Sequence, residues 1–318
     1  MRNYWYPIIF SDELASDALH AVQLCGRKVV VFRGSDGRAA CLEDACAHRS
    51  APLSLGRLER GGVVECPYHG WRYDAQGKAV SLPTLPEGAP IPAAACVPRL
   101  PTQERLGLVW VYAGEADADI PKLPRMAVVE DGVYGNPEWA ENHFTIDVDV
   151  HHSLVTENLL DPTHINFVHD GQIATREGAG PLTCELDERE DGFIFKHRNA
   201  KRGDMPDSVT RFVGPGAVRI DFEFQPGMRF VQSSYCVPIG EKRVRLLFRA
   251  WRDFGIDDPG TQARLQHHSE ETFAQDFGVL AGLQANLDAG FEAHRVLVSE
   301  DKGCAAFRRW YAEHGQGI

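Results

Sequence analysis

Two short cysteine–histidine pairs constrain the fold of this 318-residue chain more than any other feature. They are Cys46-Ala47-His48 and Cys66-Pro67-Tyr68-His69, with residues 49–65 between them. Each pair offers one thiolate and one imidazole on a short segment, so together they can close four bonds on a metal centre. Two centres satisfy this donor set. One is a single zinc ion; the other is a [2Fe-2S] cluster with both cysteines on one iron and both histidines on the other.

Short β-type segments surround both pairs. Residues 28–32 and 38–42 flank the turn Gly34-Ser35-Asp36-Gly37, a pattern typical of a β-hairpin. Residues 62–65, 71–74 and 107–112 are further candidate strands, and no helical period competes with them. The sequence therefore predicts a small antiparallel β domain that carries the two pairs on loops between hairpins.

A second polar cluster lies at residues 157–169, within an otherwise apolar segment. It contains Asn158, Asp161, His164 and His169. Asp161 and His164 are three residues apart and would share a helix face. His164 and His169 are five apart, which is about 140° of rotation on an α-helix. If both histidines bind one metal, the helix must break or widen between them. The alternative is a helix whose histidines are only hydrogen-bonded.

A metal site at these histidines needs a carboxylate. Non-haem iron is commonly held by two histidines and one carboxylate, which leave positions open for oxygen. Among the later acids Asp276 is the best candidate, because a carboxylate on an apolar helix face needs a cation or a donor. Its neighbours at helical spacing are Phe273, Val279 and Leu280. Glu300 and Asp301 are weaker candidates, since their position is typical of first-turn acids. The alternative for Asp276 is a hydrogen-bonded buried acid.

The acidic, proline-bounded segment 113–124 predicts a domain boundary, which we place between a domain of residues 1–118 and one of residues 119–318. Several β-type runs follow between residues 193 and 252. Helical patterns lie at residues 154–160, 262–287 and 300–314. The second domain is therefore predicted as an antiparallel sheet covered by helices, and the whole chain as α+β.

Composition excludes several classes of protein. The net charge is −12 and no basic block is present, so nucleic acid and anionic membrane are poor partners. The first residues contain no apolar run typical of a signal peptide, and no window resembles a transmembrane helix. The eight cysteines are too dispersed for a disulfide scaffold. We therefore predict a cytoplasmic protein.

The motifs together resemble a known family. Cys46-Ala47-His48-Arg49 and Cys66-Pro67-Tyr68-His69-Gly70-Trp71 are similar to the cluster loops of Rieske proteins. Followed by the Asn158, Asp161, His164 and His169 segment and by a late helical aspartate, they resemble the oxygenase (alpha) component of Rieske non-haem iron oxygenases. Within that family the chain looks most like the alpha-only demethylases and hydroxylases. It departs from many relatives at Ala281, where they carry an acid.

The resemblance implies a fold, cofactors and site residues. It implies an N-terminal Rieske domain with a [2Fe-2S] cluster on Cys46, His48, Cys66 and His69, and a helix-grip catalytic domain with mononuclear Fe(II). The iron ligands would be His164, His169 and Asp276. It also implies a head-to-tail homotrimer in which Asp161 bridges His164 and His69 of the neighbouring subunit. Asn158 would lie near the iron.

The predicted function follows from this resemblance. A separate reductase or ferredoxin would deliver electrons that originate from NAD(P)H, because the chain has no G-x-G-x-x-G motif of its own. The reaction would be O₂-dependent hydroxylation or oxidative demethylation of a small organic substrate, aromatic or cyclic. Pocket residues are expected within residues 195–252 and 280–300, including Met228 and Tyr235. The alternatives are a Rieske-type electron carrier without oxygenase activity and a zinc-stabilised binding module.

Overall fold

The computed structural model describes residues 3–114, 120–123, 132–199, 207–291 and 296–315. The chain divides into two compact units. The N-terminal unit contains residues 2–124 together with 239–241, and the C-terminal unit contains residues 125–238 and 242–318. The predicted boundary between residues 118 and 119 lies outside the described residues.

The N-terminal unit is built from three small antiparallel sheets. Their strand orders are β1-β11-β10, β2-β3-β4-β9 and β5-β6-β7-β8. The strands are β1 (Trp5–Phe10), β2 (His20–Leu24), β3 (Arg27–Arg33), β4 (Ala39–Glu43), β5 (Arg57–Glu59), β6 (Val63–Glu65), β7 (Arg72–Tyr73), β8 (Ala79–Ser81), β9 (Arg99–Leu100), β10 (Thr102–Arg105) and β11 (Leu108–Tyr112). A single turn of 3₁₀ helix spans Leu53–Leu55. The predicted hairpin is confirmed as β3 and β4, and the predicted antiparallel β domain is confirmed with it.

The core of this unit includes both cysteines of the paired motifs. Cys46 and Cys66 are buried in the same apolar cluster as Val30, Phe32 and Tyr73. Alternate residues of β3 (Val30 and Phe32) and of β4 (Ala40 and Leu42) supply one side of the cluster, since side chains two apart on a strand point to the same face. The fold therefore places two sulfur atoms inside an apolar core.

The C-terminal unit contains one seven-stranded sheet of order β12-β18-β17-β16-β15-β14-β13. Strands β13 to β18 follow one another as an antiparallel meander, and β12 is added beside β18. The strands are β12 (Ala140–Val148), β13 (Leu182–Arg189), β14 (Gly192–Asn199), β15 (Ser208–Val213), β16 (Ala217–Gln225), β17 (Met228–Gly240) and β18 (Arg243–Arg252).

Helices cover this sheet, which confirms the predicted α+β architecture. They are α1 (His152–Leu160), α2 (Ile165–Val168), α3 (Pro259–Asp288) and α4 (Lys302–His314), with a 3₁₀ turn at Ser299–Asp301. The side chain of Asp258 accepts hydrogen bonds from the first backbone N–H groups of α3, and Pro259 occupies its first turn. Apolar residues of α1, α3 and α4 join the sheet in one core, among them Val155, Phe273 and Phe307. None of the described helices combines the length and the apolar character needed to cross a bilayer.

Candidate functional site

The two cysteine–histidine pairs lie on loops of the N-terminal unit that are closed by backbone hydrogen bonds. The N–H of Cys66 donates to the carbonyl of Trp71 over 2.8 Å, and the N–H of Cys46 donates to the carbonyl of Ala51 over 2.9 Å. Gly70 has φ +68°, the left-handed conformation that favours glycine, and this lets the second loop turn back onto β7. The loop sequence thus fixes where its cysteine points.

Sulfur atoms and imidazoles occupy different environments in these loops. Both cysteines are buried, whereas His48 is exposed and His69 is half-buried. The ring centroids of His48 and His69 are 4.6 Å apart, and the ring of His48 stacks on Trp71 with centroids 4.7 Å apart. The two thiols and the two imidazoles therefore form two adjacent layers, an inner sulfur layer and an outer nitrogen layer.

The surroundings of the two buried cysteines change the pKa of the Cys66 thiol and place a hydroxyl beside Cys46. Burial raises the pKa of the Cys66 thiol and the adjacent Cys46 raises it further, while backbone N–H groups of Tyr68 and His69 act in the opposite direction. The Tyr73 hydroxyl lies 3.1 Å from Sγ of Cys46. Buried thiolates need such donors or a cation to be tolerated, and a bound iron pair supplies the cation.

The distances between the cysteine and histidine donor atoms distinguish a single zinc ion from a [2Fe-2S] cluster. A single zinc ion requires its four donor atoms to converge tightly. Within the described ranges, only one set of three or more His, Cys, Asp or Glu side chains has all its donor atoms within 4.8 Å of one another, and it lies in the C-terminal unit. The donors of the two loops are more widely spaced, and this spacing suits a two-iron cluster better than one zinc ion.

The compact set in the C-terminal unit consists of His164, His169 and Asp276. Oδ1 of Asp276 lies 3.2 Å from Nε2 of His169 and 3.4 Å from Nε2 of His164. The Asp276 side chain is 5% exposed and that of His169 is 2% exposed. Burial alone would lower the pKa of His169, but the carboxylate of Asp276 and the amide of Gln275 together raise it. This buried carboxylate between two imidazoles fits a divalent cation.

A break in the chain brings the two histidines together. Helix α1 ends at Leu160, and Asp161 has the extended backbone that is usual before proline. His164 and His169 then stand at the two ends of the four-residue helix α2. The expectation that Asp161 and His164 share a helix face is therefore wrong, because Pro162 stops the helix between them. The break or widening expected between His164 and His169 is also wrong, because α2 is continuous between them and the chain breaks before His164 instead.

Neighbouring amides hold the ligand side chains. The Nδ2 of Asn158 donates to Oδ1 of Asp276 over 3.1 Å. On the other side, Nδ1 of His169 lies 2.7 Å from Oε1 of Gln275. Since an amide oxygen only accepts, His169 donates through Nδ1 and keeps Nε2 for a metal. Sequence analysis singled out Asn158 but missed Gln275, because a glutamine beside a candidate ligand is not a signal of its own.

Asp161 has a different set of contacts from the one expected. Its Oδ1 accepts from the backbone N–H and the hydroxyl of Thr163, over 2.7 and 2.6 Å. Its Oδ2 lies 3.5 Å from Nδ1 of His164, a contact too long for a strong hydrogen bond. Burial raises the pKa of Asp161, but the contacts with His164 and Thr163 outweigh it and lower the pKa. Oδ1 therefore already accepts two hydrogen bonds within the chain, and the bridge from Asp161 to His69 of a neighbouring subunit stays a prediction.

A cavity of about 770 Å³ opens beside the three ligand candidates. Seven phenylalanines line it: Phe195, Phe222, Phe224, Phe230, Phe248, Phe254 and Phe273. Met228 lines the cavity as expected, whereas Tyr235 does not and is buried elsewhere in the sheet. The described part of 280–300 contributes no lining residue; α3 contributes through its first half, residues 261–276. The second half of α3 lies too far along the helix axis to reach the cavity.

Comparison with known proteins identifies both halves of the chain. Residues 4–101 match the family described as Rieske [2Fe-2S] domain, and residues 148–316 match the family described as vanillate O-demethylase oxygenase C-terminal domain. The vanillate O-demethylase oxygenase subunit of Pseudomonas sp. (strain HR199 / DSM 7063) is 35% identical over 341 residues, 97% of this chain and 93% of the relative. The chain belongs to the Rieske oxygenases.

Further similarities agree with this Rieske oxygenase assignment. Protein TIC 55 of Arabidopsis thaliana is 30% identical over 99% of this chain but only 60% of its own length, so the chain spans less than two thirds of that relative. The crystal structure of dicamba monooxygenase bound to dicamba shares the fold, with a TM-score of 0.86 and 24% identity over 98% of this chain and 96% of that chain. As a Rieske oxygenase, the chain has a [2Fe-2S] domain and a catalytic domain of the mononuclear iron type, so the zinc alternative is wrong.

Proposed function

We propose that this chain is the oxygenase component of a multicomponent system that hydroxylates or oxidatively demethylates a small ring-containing substrate with O₂. Electrons would come from NAD(P)H through a separate reductase or ferredoxin. The observation that carries the proposal is the convergence of His164, His169 and Asp276 at the edge of a phenylalanine-lined cavity. A pure electron carrier would need neither the ligand set nor the cavity.

Each metal centre has its own residues in this proposal. Cys46, His48, Cys66 and His69 would hold the [2Fe-2S] cluster, and His164, His169 and Asp276 would hold the iron. When bound, the cluster supplies one-electron transfer and the iron supplies a site for activating O₂. All three of these ligand candidates line the cavity, so an iron ion held by them would adjoin the space proposed for the substrate. We also propose that the domain boundary lies between residues 118 and 119.

The surrounding residues prepare the site without taking part in bond changes. The amides of Asn158 and Gln275 keep the carboxylate of Asp276 and the ring of His169 in one orientation. The seven phenylalanines exclude water from the space beside the ligands, and their faces and edges suit the stacking of a flat ring. The size of the cavity is typical of sites for small organic molecules.

The outer face of the cluster loops supports docking of another protein. His48 is exposed, and so are two large apolar side chains within residues 46–69, the segment that holds both pairs: Leu55 (73%) and Tyr68 (60%). Exposed apolar side chains of this size are typical of interaction sites when they are grouped. We propose that this face meets Asp161 of a neighbouring subunit in a head-to-tail homotrimer, and that the electron donor also approaches the cluster loops.

The proposal is tested by reconstitution. The purified chain is loaded with iron and sulfide, mixed with NADH, a Rieske-system reductase and a panel of aromatic methyl ethers, and O₂ uptake and formaldehyde are measured. We expect substrate-dependent O₂ uptake with matching formaldehyde or hydroxylated product. Asp276→Ala should abolish product but leave the reduced cluster's electron paramagnetic resonance signal intact. An intact cluster and a filled iron site with no oxidation of any ring compound would refute the proposal.

A further inference from the structure

The floor of the cavity is formed by the seven-stranded sheet, in which residues directly opposite each other on neighbouring strands form rows across the sheet. Residues that face each other across antiparallel strands point to the same side of the sheet. One row runs His197, Ser208, Phe222 and Phe230 through the register of β14, β15, β16 and β17. The next row runs Phe195, Thr210, Ile220 and Gln232. All eight side chains line the cavity, so four apolar residues of the floor lie beside four polar ones, of which His197 and Ser208 face each other in one row.

His197 and Ser208 contact each other, but one ring nitrogen of His197 has no hydrogen-bond partner among the described residues. Ser208 Oγ lies 3.0 Å from Nδ1 of His197, and both residues are more than nine-tenths buried, at 7% and 5% exposure. Nε2 of His197 is also buried, and no described group forms a hydrogen bond with it. A buried polar atom without a partner costs free energy, and on the wall of a cavity a bound ligand can remove that cost by hydrogen bonding to it.

The charges around the cavity indicate what this nitrogen can bind. Burial lowers the pKa of His197 to about 4 despite the opposing influence of Asp207 and Asp161, so the ring is neutral at pH 7. Among the described residues that line the cavity, the one permanent cation is Arg264. Its side chain is 72% exposed and is already bonded to Thr261 and paired with Asp258. An anionic substrate group on the cavity floor would therefore lack a buried cation to compensate it.

We infer that His197 and Ser208 form the substrate-recognition subsite of the cavity, and that they select an uncharged polar substituent such as a carbonyl, amide or hydroxyl group. The inference rests on the proposed oxygenase function and deepens it. It distinguishes this chain from the vanillate O-demethylase subunit it resembles, because vanillate carries a carboxylate.

The chemistry of the pair explains why both donors and acceptors fit. When the Ser208 hydroxyl donates to Nδ1, Nε2 carries the proton and donates to a substrate carbonyl. When Nδ1 donates to Ser208, Nε2 accepts from a substrate hydroxyl or N–H. A hydrocarbon substituent would leave Nε2 unsatisfied, and a site built around a buried polar group rejects analogues that lack the matching group.

Three probes with one shared ring test the inference: 4-methoxybenzamide (neutral and polar), 4-methoxybenzoate (anionic) and 4-methylanisole (apolar). Their dissociation constants are measured by calorimetry on the oxidised, metal-loaded protein without reductant, so that no turnover occurs. The wild-type protein should bind the amide about tenfold more tightly than 4-methylanisole. The benzoate should bind most weakly of the three.

Two variants of His197 separate recognition from folding. His197→Phe should remove the preference for the amide over 4-methylanisole, and His197→Gln, which keeps a hydrogen-bonding group, should retain part of it. Matched controls outside the cavity are His267→Phe, on the exposed face of α3, and Ser234→Ala, a buried serine of β17. Both controls should bind the three probes as the wild type does.

The outcomes decide the inference independently of the oxygenase activity. Binding of the benzoate as tightly as the amide, an unchanged amide preference in His197→Phe, or no binding of the amide at millimolar concentration would each overturn it. If the predicted binding pattern is found but neither a probe nor any other ring compound of the panel is oxidised after reductase and O₂ are added, the subsite stands and the proposed function fails. Oxidation of the benzoate in preference to the amide would support the proposed function and overturn the subsite.

Discussion

The side-chain amide of Asn158 on α1 donates a hydrogen bond to the buried carboxylate of Asp276 on α3 across 3.1 Å. The two residues are 118 positions apart in the chain. The amide bonds to Oδ1, the oxygen nearest both histidines, so Asn158 is in a position to orient the carboxylate proposed as an iron ligand. This contact gives Asn158 a role that its place in the sequence motif did not specify.

Loss of this contact should weaken the iron site. We expect Asn158→Ala to lower iron affinity about 10- to 100-fold, since the carboxylate loses the group that orients it. Chelator competition followed by iron analysis measures the effect. Asn142→Ala is a matched control, because Asn142 donates to Gln266 on the same helix away from the ligands. Equal iron affinity in Asn158→Ala and the control would contradict this role.

Gln275 should act on the other ligand in the same way. Its amide oxygen accepts from Nδ1 of His169, so Gln275→Leu should release the ring and lower iron affinity about 10-fold or more. Gln275→Glu keeps an acceptor and should retain the affinity. Iron binding of both variants is compared with that of Gln266→Leu. If the leucine and glutamate variants bind iron equally well, the hydrogen bond does not hold the ligand.

The hydroxyl of Tyr73 should raise the reduction potential of the cluster. It lies 3.1 Å from Sγ of Cys46, and hydrogen bonds to ligand sulfur stabilise the reduced, more negative state. Tyr73→Phe should therefore lower the potential, and spectroelectrochemical titration measures the change. Tyr112→Phe alters a buried tyrosine of another sheet in the same unit and should leave the potential unchanged. A potential that stays the same in Tyr73→Phe would exclude this hydrogen bond as a determinant.

Acidification should destabilise the fold through His197. Its pKa is lowered to about 4 in the folded protein, below the ordinary value of 6.5, so the unfolded chain binds the proton more readily. This contribution to stability is complete above pH 6.5 and is lost as the pH falls from about 6.5 to about 4. At pH 5 the loss is about 2 kcal/mol.

Urea unfolding at pH 7.5 and pH 5 tests this prediction. The free energy of unfolding of His197→Phe should fall about 2 kcal/mol less between the two pH values than that of the wild type. His267→Phe, which removes an exposed histidine, is the control. The prediction fails if the wild type and His197→Phe lose the same stability on acidification.

Electron transfer between subunits should depend on Asp161. Asp161→Asn keeps the shape of the side chain but removes its charge, so both metal centres should fill and the cluster should still be reduced. Product formation in a single turnover of the pre-reduced protein should collapse. Asp147→Asn, which alters an aspartate on the edge strand β12 paired with Arg245 on β18, is the control. Full product yield from Asp161→Asn would assign the residue a structural role only.

Mixed trimers give a second test of the same idea. Chains with Cys66→Ser lack the cluster, and chains with Asp161→Asn lack the proposed bridge. In a mixed trimer an intact cluster of one chain can meet an intact Asp161 and iron site of the next, so part of the activity should return. If demonstrably mixed trimers stay inactive, transfer runs within a single subunit.

Local patterns predicted most of the secondary structure and the spacing of the ligand residues. The β3–β4 hairpin and helices α1, α3 and α4 follow from alternation, turn residues and helical periods in short windows. Asp276 could be chosen because a charged residue on an apolar helix face is unusual. These patterns are local, since each depends on residues that are close to each other in the sequence.

The contacts that finish the site could not be predicted in this way. The pairing of Asn158 with Asp276, of Gln275 with His169 and of His197 with Ser208 depends on how helices pack and on strand register. Glutamine, serine and histidine are common residues whose roles appear only when a partner from elsewhere in the chain lies beside them. The prediction that Tyr235 lines the cavity failed for the same reason, because a one-residue change of phase along a strand reverses the face.

In this fold, the residues proposed to bind the iron and the residues that shape the cavity floor lie on different secondary-structure elements. Every proposed iron ligand comes from α2 and α3 or their ends, whereas the polar and aromatic floor comes from β14 to β17. Substitutions at row positions such as Ser208, Thr210 or Gln232 would alter which molecule fits without moving a ligand. Lineages of this architecture could therefore diversify the compounds they consume by altering the sheet, and inherit their oxygen chemistry unchanged.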